Sequence, residues 1–479
     1  MATSIKKNYI FNVSYQIFAI IAPLITTPYI SRVLHADGIG EYSFGDSIVT
    51  YFVLFAAMGT VKYGQREVAY NQNDRKGRSV VFWNIVALRL AGAVVVMVPY
   101  LVFANMQPNK TLYFILSMNI VSVVFDISWL YQGVENFKTV TVRNFVVKIV
   151  SIILIFMLVK TENDVDIYAA VLCGSLLVGN ILMWFRLRNN VDAPRLCELH
   201  PFHDFKSVFE LFVPAIAISI YTVLDKTMIG VITGSSDANG YYDQAMKISH
   251  MALSFLLAMG TVMASRVGHY YAEGDDRSLK EGMYRSYRFV WLVGFPLCFG
   301  IVGIASNLVP WFFGPGFSEV VPLLWVTSFL VLVVGVNNAT GVQFLIPTKR
   351  QNLFTLSVII GAVTNFTLNI ILIPFFSALG AAVASVVAEG TIAVFQLIRV
   401  RHELSYKRII GFSWRYALSG FAMLASLLTV SYFLSPSPFA TTALIIMGSA
   451  IYSLMLWILK DDFFLFYVRS FMNRLGKKR

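Results

Sequence analysis

Ten ionisable side chains stand inside stretches that are otherwise apolar. Five are cations, Arg32, Arg89, Lys148, Lys226 and Lys247; five are acids, Asp46, Asp126, Asp225, Asp243 and Glu389. A charge in hydrocarbon costs about 2.5–3.5 kcal/mol on insertion scales, so such residues usually face a bundle interior or water. Cations lining a wet cavity favour an anion, and Arg offers a planar fork of donors that suits phosphate or pyrophosphate. The five cations are therefore candidate substrate-binding residues. The five acids are candidates for ion coupling or charge pairing. Arg89 and Glu389 fall near the middle of their spans, Lys148 and Asp126 in the inner half, and the others toward the outer ends. Two buried pairs with no substrate role are equally compatible with the spacing, Asp225 with Lys247 and Asp126 with Lys148. Arg32 and Asp46 could instead reach the outer headgroups.

Proline removes a backbone hydrogen bond and bends a helix. Pro23 and Pro28 interrupt the first apolar stretch and Pro214 the seventh. Interruptions in corresponding halves point to substrate-facing, moving helices, so these three are candidate hinges. Asn365 and Asn369, four apart, are expected to join helices by hydrogen bonds. No nucleophile–base constellation, metal cluster or GxxxxGK[ST] phosphate loop is visible. The chain is therefore read as neither an enzyme nor an ATP-driven pump. No cofactor is expected, and H+ or Na+ is the candidate coupling ion.

The elements that must hold these groups follow from composition. Of 479 residues, 57% are hydrophobic and only 13% charged, against about 25% charged in a soluble domain. This excludes a water-soluble enzyme and predicts an all-α polytopic membrane protein. About 20 apolar residues span the hydrocarbon. Fourteen stretches qualify: 9–32, 41–62, 79–104, 111–133, 141–159, 165–187, 206–233, 239–265, 284–305, 319–346, 352–375, 378–399, 415–434 and 439–460. With the N-terminus inside and strict alternation, inside loops and tails hold 31 of the 38 Lys and Arg, and outside loops hold two, Lys110 and Lys160. That asymmetry is a positive-inside signal. It places both termini in the cytoplasm and assigns the net charge of +12 to membrane orientation, not to nucleic acid. Cys173, Cys197 and Cys298 are scattered, with no metal spacing and no disulfide framework.

The chain also repeats itself. AMGTV occurs at 57–61 and again at 258–262, and Asp37-x-x-Gly40-x-Tyr42 matches Asp237-x-x-Gly240-x-Tyr242, at an offset of 200 to 201 residues. The expected organisation is a six-helix lobe over 1–190, a cytoplasmic linker over 191–205, a second six-helix lobe over 206–400, and helices 13–14 with a basic tail over 401–479. Six is even, so the repeats are parallel, and a transporter plan with rocking lobes follows.

Several segments resemble the bacterial oligosaccharide flippases of the Wzx type. They are PLITTPYISRVLHADGIGEYSFGDSIVTYFVLFAAMGTVKYGQREVA (23–69), DISWLYQGVENFKTVTVRNFVVK (126–148), IYTVLDKTMIGVI (220–232), GYYDQAMKI (240–248), and LIPTKRQN with NFTLNIILIPFFSALGAAVASVVAE (345–389). That family shares an exporter superfamily with multidrug antiporters and the peptidoglycan-precursor flippase. The resemblance implies a V-shaped pair of six-helix lobes plus two helices. It implies a bacterial cytoplasmic-membrane flippase that turns undecaprenyl-pyrophosphate-linked oligosaccharide repeat units to the outer leaflet by alternating access, for capsule, exopolysaccharide or O-antigen synthesis. It carries cavity cations over by motif to Arg32 (PYISR), Lys226 (LDK) and Lys247 (QAMK), and by position to Arg89. Implied partners are the lipid-linked oligosaccharide, the bilayer, and polysaccharide polymerase and chain-length proteins, for a monomeric flippase. The alternatives are a cation-coupled multidrug or metabolite antiporter and the lipid II flippase. An antiporter for cations should have an acid-dominated cavity and twelve helices. A membrane-embedded transferase would need an acidic loop motif, and AEGDDRSLKEG (272–282) reads better as a solvated connection.

Overall fold

The computed structural model describes residues 5–193, 199–257 and 260–476; within these, the side chains of 5–13, 16–17, 213–215, 217–221, 261–262 and 471–476 are left aside. Cys197, Ala258, Met259 and the side chain of Pro214 lie outside the described set. Every regular element among the described residues is helical. The chain divides into two compact units, Met1–Gly240 and Tyr241–Arg479.

The first unit holds α1 (Ile5–Ala57), α2 (Thr60–Tyr70), α3 (Arg75–Asn105), α4 (Lys110–Leu116), α5 (Met118–Phe125), α6 (Ser128–Gly133), α7 (Phe137–Leu158), α8 (Val165–Trp184) and α9 (Phe205–Thr233). The second holds most of α10 (Ser236–Leu257), then α11 (Gly260–Glu273), α12 (Asp276–Phe312), α13 (Val320–Thr327), α14 (Phe329–Asn337), α15 (Gln351–Val400), α16 (Tyr406–Phe433), α17 (Pro438–Ile458) and α18 (Asp462–Gly476). A π-helical turn, Asn338–Leu345, follows α14.

Among the described residues, ten helical runs are long and apolar enough to cross a membrane, and two of these runs each hold two expected spans. The 53-residue α1 is broken at His35, where φ is 55°. Ring contacts show that the chain reverses there. Phe18 stacks on Phe145 and Tyr29 packs on Phe156, so the first leg runs parallel to α7. After His35, Tyr42 packs on Tyr168 of α8, and α8 is antiparallel to α7, since Arg143 of α7 reaches Asn180 of α8 at 2.7 Å. The 50-residue α15 folds back at Ser377, φ 50°. Its legs meet through Gln396 Nε2 donating to Ser357 Oγ at 2.9 Å and Asn365 Nδ2 donating to Ser385 Oγ at 3.4 Å. Asn369 Nδ2 in turn donates to Asn365 Oδ1 at 3.1 Å. The two asparagines thus join helix legs. In lipid, such hydrogen bonds and close small-residue packing hold helices together, because the bilayer is as apolar as the side chains.

Helix α3 shows how the apolar pattern sorts its faces. Leu90, Val94, Val98 and Val102 recur every four residues and are 53%, 59%, 63% and 59% exposed, a stripe suited to lipid. Phe82, Ile85, Arg89, Ala93 and Tyr100 occupy the buried face. Phe82 stacks on Trp129, and Tyr100 donates its hydroxyl to Tyr113 O at 2.7 Å.

The repeated motif has a structural counterpart inside the first unit. The backbones at Gly40 and Gly240 lie against each other: a Cβ on Gly40 would stand 1.7 Å from Ser236 O, and one on Gly240 2.1 Å from Ala36 O. Each copy contacts the other through corresponding positions, 36 with 240 and 236 with 40, as a two-fold relation requires. The first AMGTV copy marks a helix break, with Met58 and Gly59 at φ 45° and 73° between α1 and α2. The second copy begins at Ala258 and Met259, which lie outside the described residues.

Candidate functional site

The polar groups buried in the first unit centre on Arg89, which is 1% exposed. The helix before it in space is discontinuous: α5 ends at Phe125, Asp126 turns to an extended conformation, and α6 begins at Ser128. Such a break frees carbonyls that lipid cannot satisfy. Arg89 answers it. Its Nη1 donates to Val123 O at 3.0 Å and Asp126 O at 2.5 Å, and its Nε donates to Thr60 Oγ1 at 2.7 Å. Thr60 passes its own proton to Ala57 O at 2.5 Å, across the α1–α2 break. Trp129 Nε1 also donates to Asp126 O, at 3.0 Å, and Trp184 Nε1 to Phe125 O, at 2.9 Å. Arg89 lies 5.8 Å from the Trp129 ring centroid. Its Nη2 is buried with no hydrogen-bond partner among the described residues. Arg89 therefore ties two helix breaks together.

Asp126 pairs with Arg143 of α7, at 3.7 Å, in place of the pairing with Lys148 weighed from the spacing. Arg143 Nη2 also donates to Asn180 Oδ1, and Asn180 Nδ2 to Ser122 Oγ at 2.7 Å. The Asp126 carboxylate accepts from Ser128 N at 3.0 Å, capping α6. Lys148 is half-buried one face further along α7. Sequence reasoning missed Arg143 because it stands at a span end, among the loop cations. No signal in the sequence singled it out, because Lys138, Arg143 and Arg186 come together only in space.

On α1, Arg32 is exposed and donates from Nη1 to Pro28 O at 2.8 Å. The helix passes through Pro23 and Pro28, and its break falls at His35 instead. Asp46 is half-buried. Ser47 Oγ lies 3.0 Å from Thr227 Oγ1, which donates to the Tyr51 hydroxyl at 3.2 Å, so α9 packs on the second leg of α1. Asp225 is buried there, and the carbonyl of half-buried Lys226 accepts from Asn239 Nδ2 at 2.9 Å.

In the second unit, Lys247 pairs with Asp243 one turn earlier on α10, at 2.7 Å. Glu389 accepts from Asn337 Nδ2 at its carboxylate, and its carbonyl accepts from the same group at 3.0 Å. Asn337 ends α14 where the π-helical turn begins, and Gln343 Nε2 donates to Asn338 Oδ1 at 3.0 Å across that turn. Wide turns of this kind are frequent at functional positions. The polar run VNNATGVQ (336–343) inside an apolar stretch was its signal in the sequence. Trp129 and Tyr131 are 0% and 1% exposed and belong to the packed interior.

This arrangement, helical bundles with partly buried ion pairs and discontinuous helices, is that of a multi-pass membrane protein. The fold is similar to the lipid II flippase MurJ in an inward closed conformation, with a TM-score of 0.69 at 16% identity, covering 95% of this chain and 99% of that one. It is also similar to an inward-facing multidrug resistance MATE family transporter of the MOP superfamily, with a TM-score of 0.60 at 13% identity, covering 86% and 99%. The family profile described as "Polysaccharide biosynthesis protein" matches residues 5–265, and the chain belongs to that family. Among its relatives are a "Putative O-antigen transporter" of Escherichia coli K12, 21% identical over 83% of this chain and 97% of that protein. Another is the "Probable low-salt glycan biosynthesis flippase Agl15" of Haloferax volcanii, 23% identical over 57% of this chain and 56% of that protein. The resemblance to polysaccharide flippases read from the motifs is borne out.

Proposed function

We propose that this protein carries an undecaprenyl-pyrophosphate-linked oligosaccharide repeat unit from the cytoplasmic to the outer leaflet of a bacterial cytoplasmic membrane by alternating access. The observation that carries the reading is the family match over residues 5–265, a stretch that contains all five cations, Arg32, Arg89, Lys148, Lys226 and Lys247. Arg and Lys suit the pyrophosphate, the sugars travel in the wet interior, and the polyprenyl tail stays in lipid. Asp126, Asp225 and Glu389 are the candidate coupling acids, with H+ or Na+ as the driving ion. Both termini face the cytoplasm.

The test is deletion of the gene followed by extraction of polyprenyl-linked intermediates. The expected result is complete oligosaccharide-lipid held on the cytoplasmic leaflet and loss of surface polymer. Unchanged lipid intermediates with lost resistance to small toxic compounds would identify an antiporter instead.

A further inference from the structure

The α7–α8 hairpin carries a basic pocket that the proposed transport step does not use. It encloses about 290 Å³, and Lys138, Arg143 and Arg186 line it together with Val142, Val146 and Leu182. No acid lines it. Lys138 and Arg186 are exposed, and their side chains make no ion pair or hydrogen bond among the described residues. Arg143 is held in place by Asn180 Oδ1 at 2.7 Å, by Met183 Sδ at 3.4 Å and by Asp126 at 3.7 Å.

Three further features say what fits. Val142, Val146 and Leu182 are 44%, 47% and 49% exposed, an apolar wall open to the bilayer. The floor is Gly179, where a Cβ would stand 2.2 Å from Val147 Cγ2, so the two helices approach closely and leave a groove above them. Lys138 stands in the connection between the expected spans 111–133 and 141–159, and Arg186 at the end of 165–187, so the mouth falls at the expected headgroup level. Trp184, two residues from Arg186, packs its ring 6.1 Å from that of Trp83. Tryptophans gather at the membrane–water interface. Cationic mouth, apolar wall and interfacial depth together describe one ligand. We propose that this pocket binds an anionic phospholipid of the surrounding bilayer, its phosphate between Lys138 and Arg186 and an acyl chain along Val142, Val146 and Leu182. Basic pockets between membrane helices recognise anionic headgroups in this way.

The test uses the purified full-length protein, with phosphatidylglycerol and phosphatidylcholine as probes and bound lipid counted by native mass spectrometry. Wild type should retain phosphatidylglycerol over phosphatidylcholine. The double variant Lys138→Gln/Arg186→Gln should bind phosphatidylglycerol about tenfold or more weakly, and Lys138→Arg/Arg186→Lys should keep it. Equal retention of both lipids by wild type, or unchanged binding by the glutamine variant, overturns the proposal. So does displacement of the lipid by inorganic phosphate alone, which would mean that the acyl chain contributes nothing. The readout needs no transport, so its failure leaves the flippase reading standing.

Discussion

At the residue scale, Arg89 shows how depth and role separate. Its position near the middle of an apolar span is legible in the sequence, as is the cost of leaving it there. Its task is not, because that depends on the break at Asp126–Ile127 and on the α1–α2 junction, two short irregularities that hydropathy does not register. Arg89→Ala would leave Val123 O and Thr60 Oγ short of a buried donor, at about 1–3 kcal/mol for each. Thermal unfolding in detergent should therefore show a clear loss of stability, and Arg89→Lys a smaller one, since a single ammonium cannot fork between acceptors. An unchanged melting temperature for Arg89→Ala would remove the capping role. Gly40 and Gly240 make a second residue-scale case. Either one replaced by Ala puts a methyl group into the opposing backbone, so Gly40→Ala and Gly240→Ala should both unfold at lower temperature, whereas Gly411→Ala, which meets nothing within 4 Å, should not.

At the element scale, the spans follow from apolar runs of sufficient length, and the basic loops mark their ends. The turns at His35 and Ser377 fall in the gaps left between the expected spans, 33–40 and 376–377, where one residue at positive φ reverses the chain. Helix α18 was read as part of the basic tail: its fifteen residues carry one acid and two arginines. It is fastened by Arg288 of α12, which donates to Asp462 at 2.7 Å and Asp461 at 3.1 Å and lies 4.8 Å from the rings of both Phe412 and Phe463. Tyr416 donates to Asp461 at 3.0 Å, and Asp461 caps the helix through Phe464 N at 2.8 Å. The hydrogen bond from Arg288 holds the Asp462 carboxyl below its ordinary range. A carboxyl with a depressed folded pKa adds stability above its unfolded value and loses it as pH falls through the folded one. Protection of α18 from hydrogen exchange should therefore be steady near neutrality and decline in acid, below about pH 4. Asp462→Asn should show reduced protection already at neutral pH. Protection that ignores pH in the wild type would separate α18 from this anchor.

At the scale of the whole molecule, residues match at an offset of 200 to 201, and one matching pair, Gly40 and Gly240, packs together within the first unit. Which polar groups meet was not visible, because Asp126 with Arg143 and Asp243 with Lys247 are choices made by packing among several partners of similar spacing. The orientation expected from loop charge is open to a direct check. Thr161, in the α7–α8 connection, and Arg277, in the first turn of α12, are both exposed. On a cysteine-free background, a membrane-impermeant thiol reagent applied to intact cells should label Thr161→Cys, and Arg277→Cys only after lysis. Labelling of both from outside would break the alternation on which the topology rests.

The polar seam inside α15 also bears on how the protein is made. Asn365, Asn369 and Gln396 would each resist leaving the insertion channel alone, yet their partners Ser385 and Ser357 arrive on the adjoining leg, only a tight turn away. The two legs can therefore enter the bilayer together, already closed on each other, so that the biosynthetic machinery handles residues 351–400 as one hairpin and lipid never meets its amides.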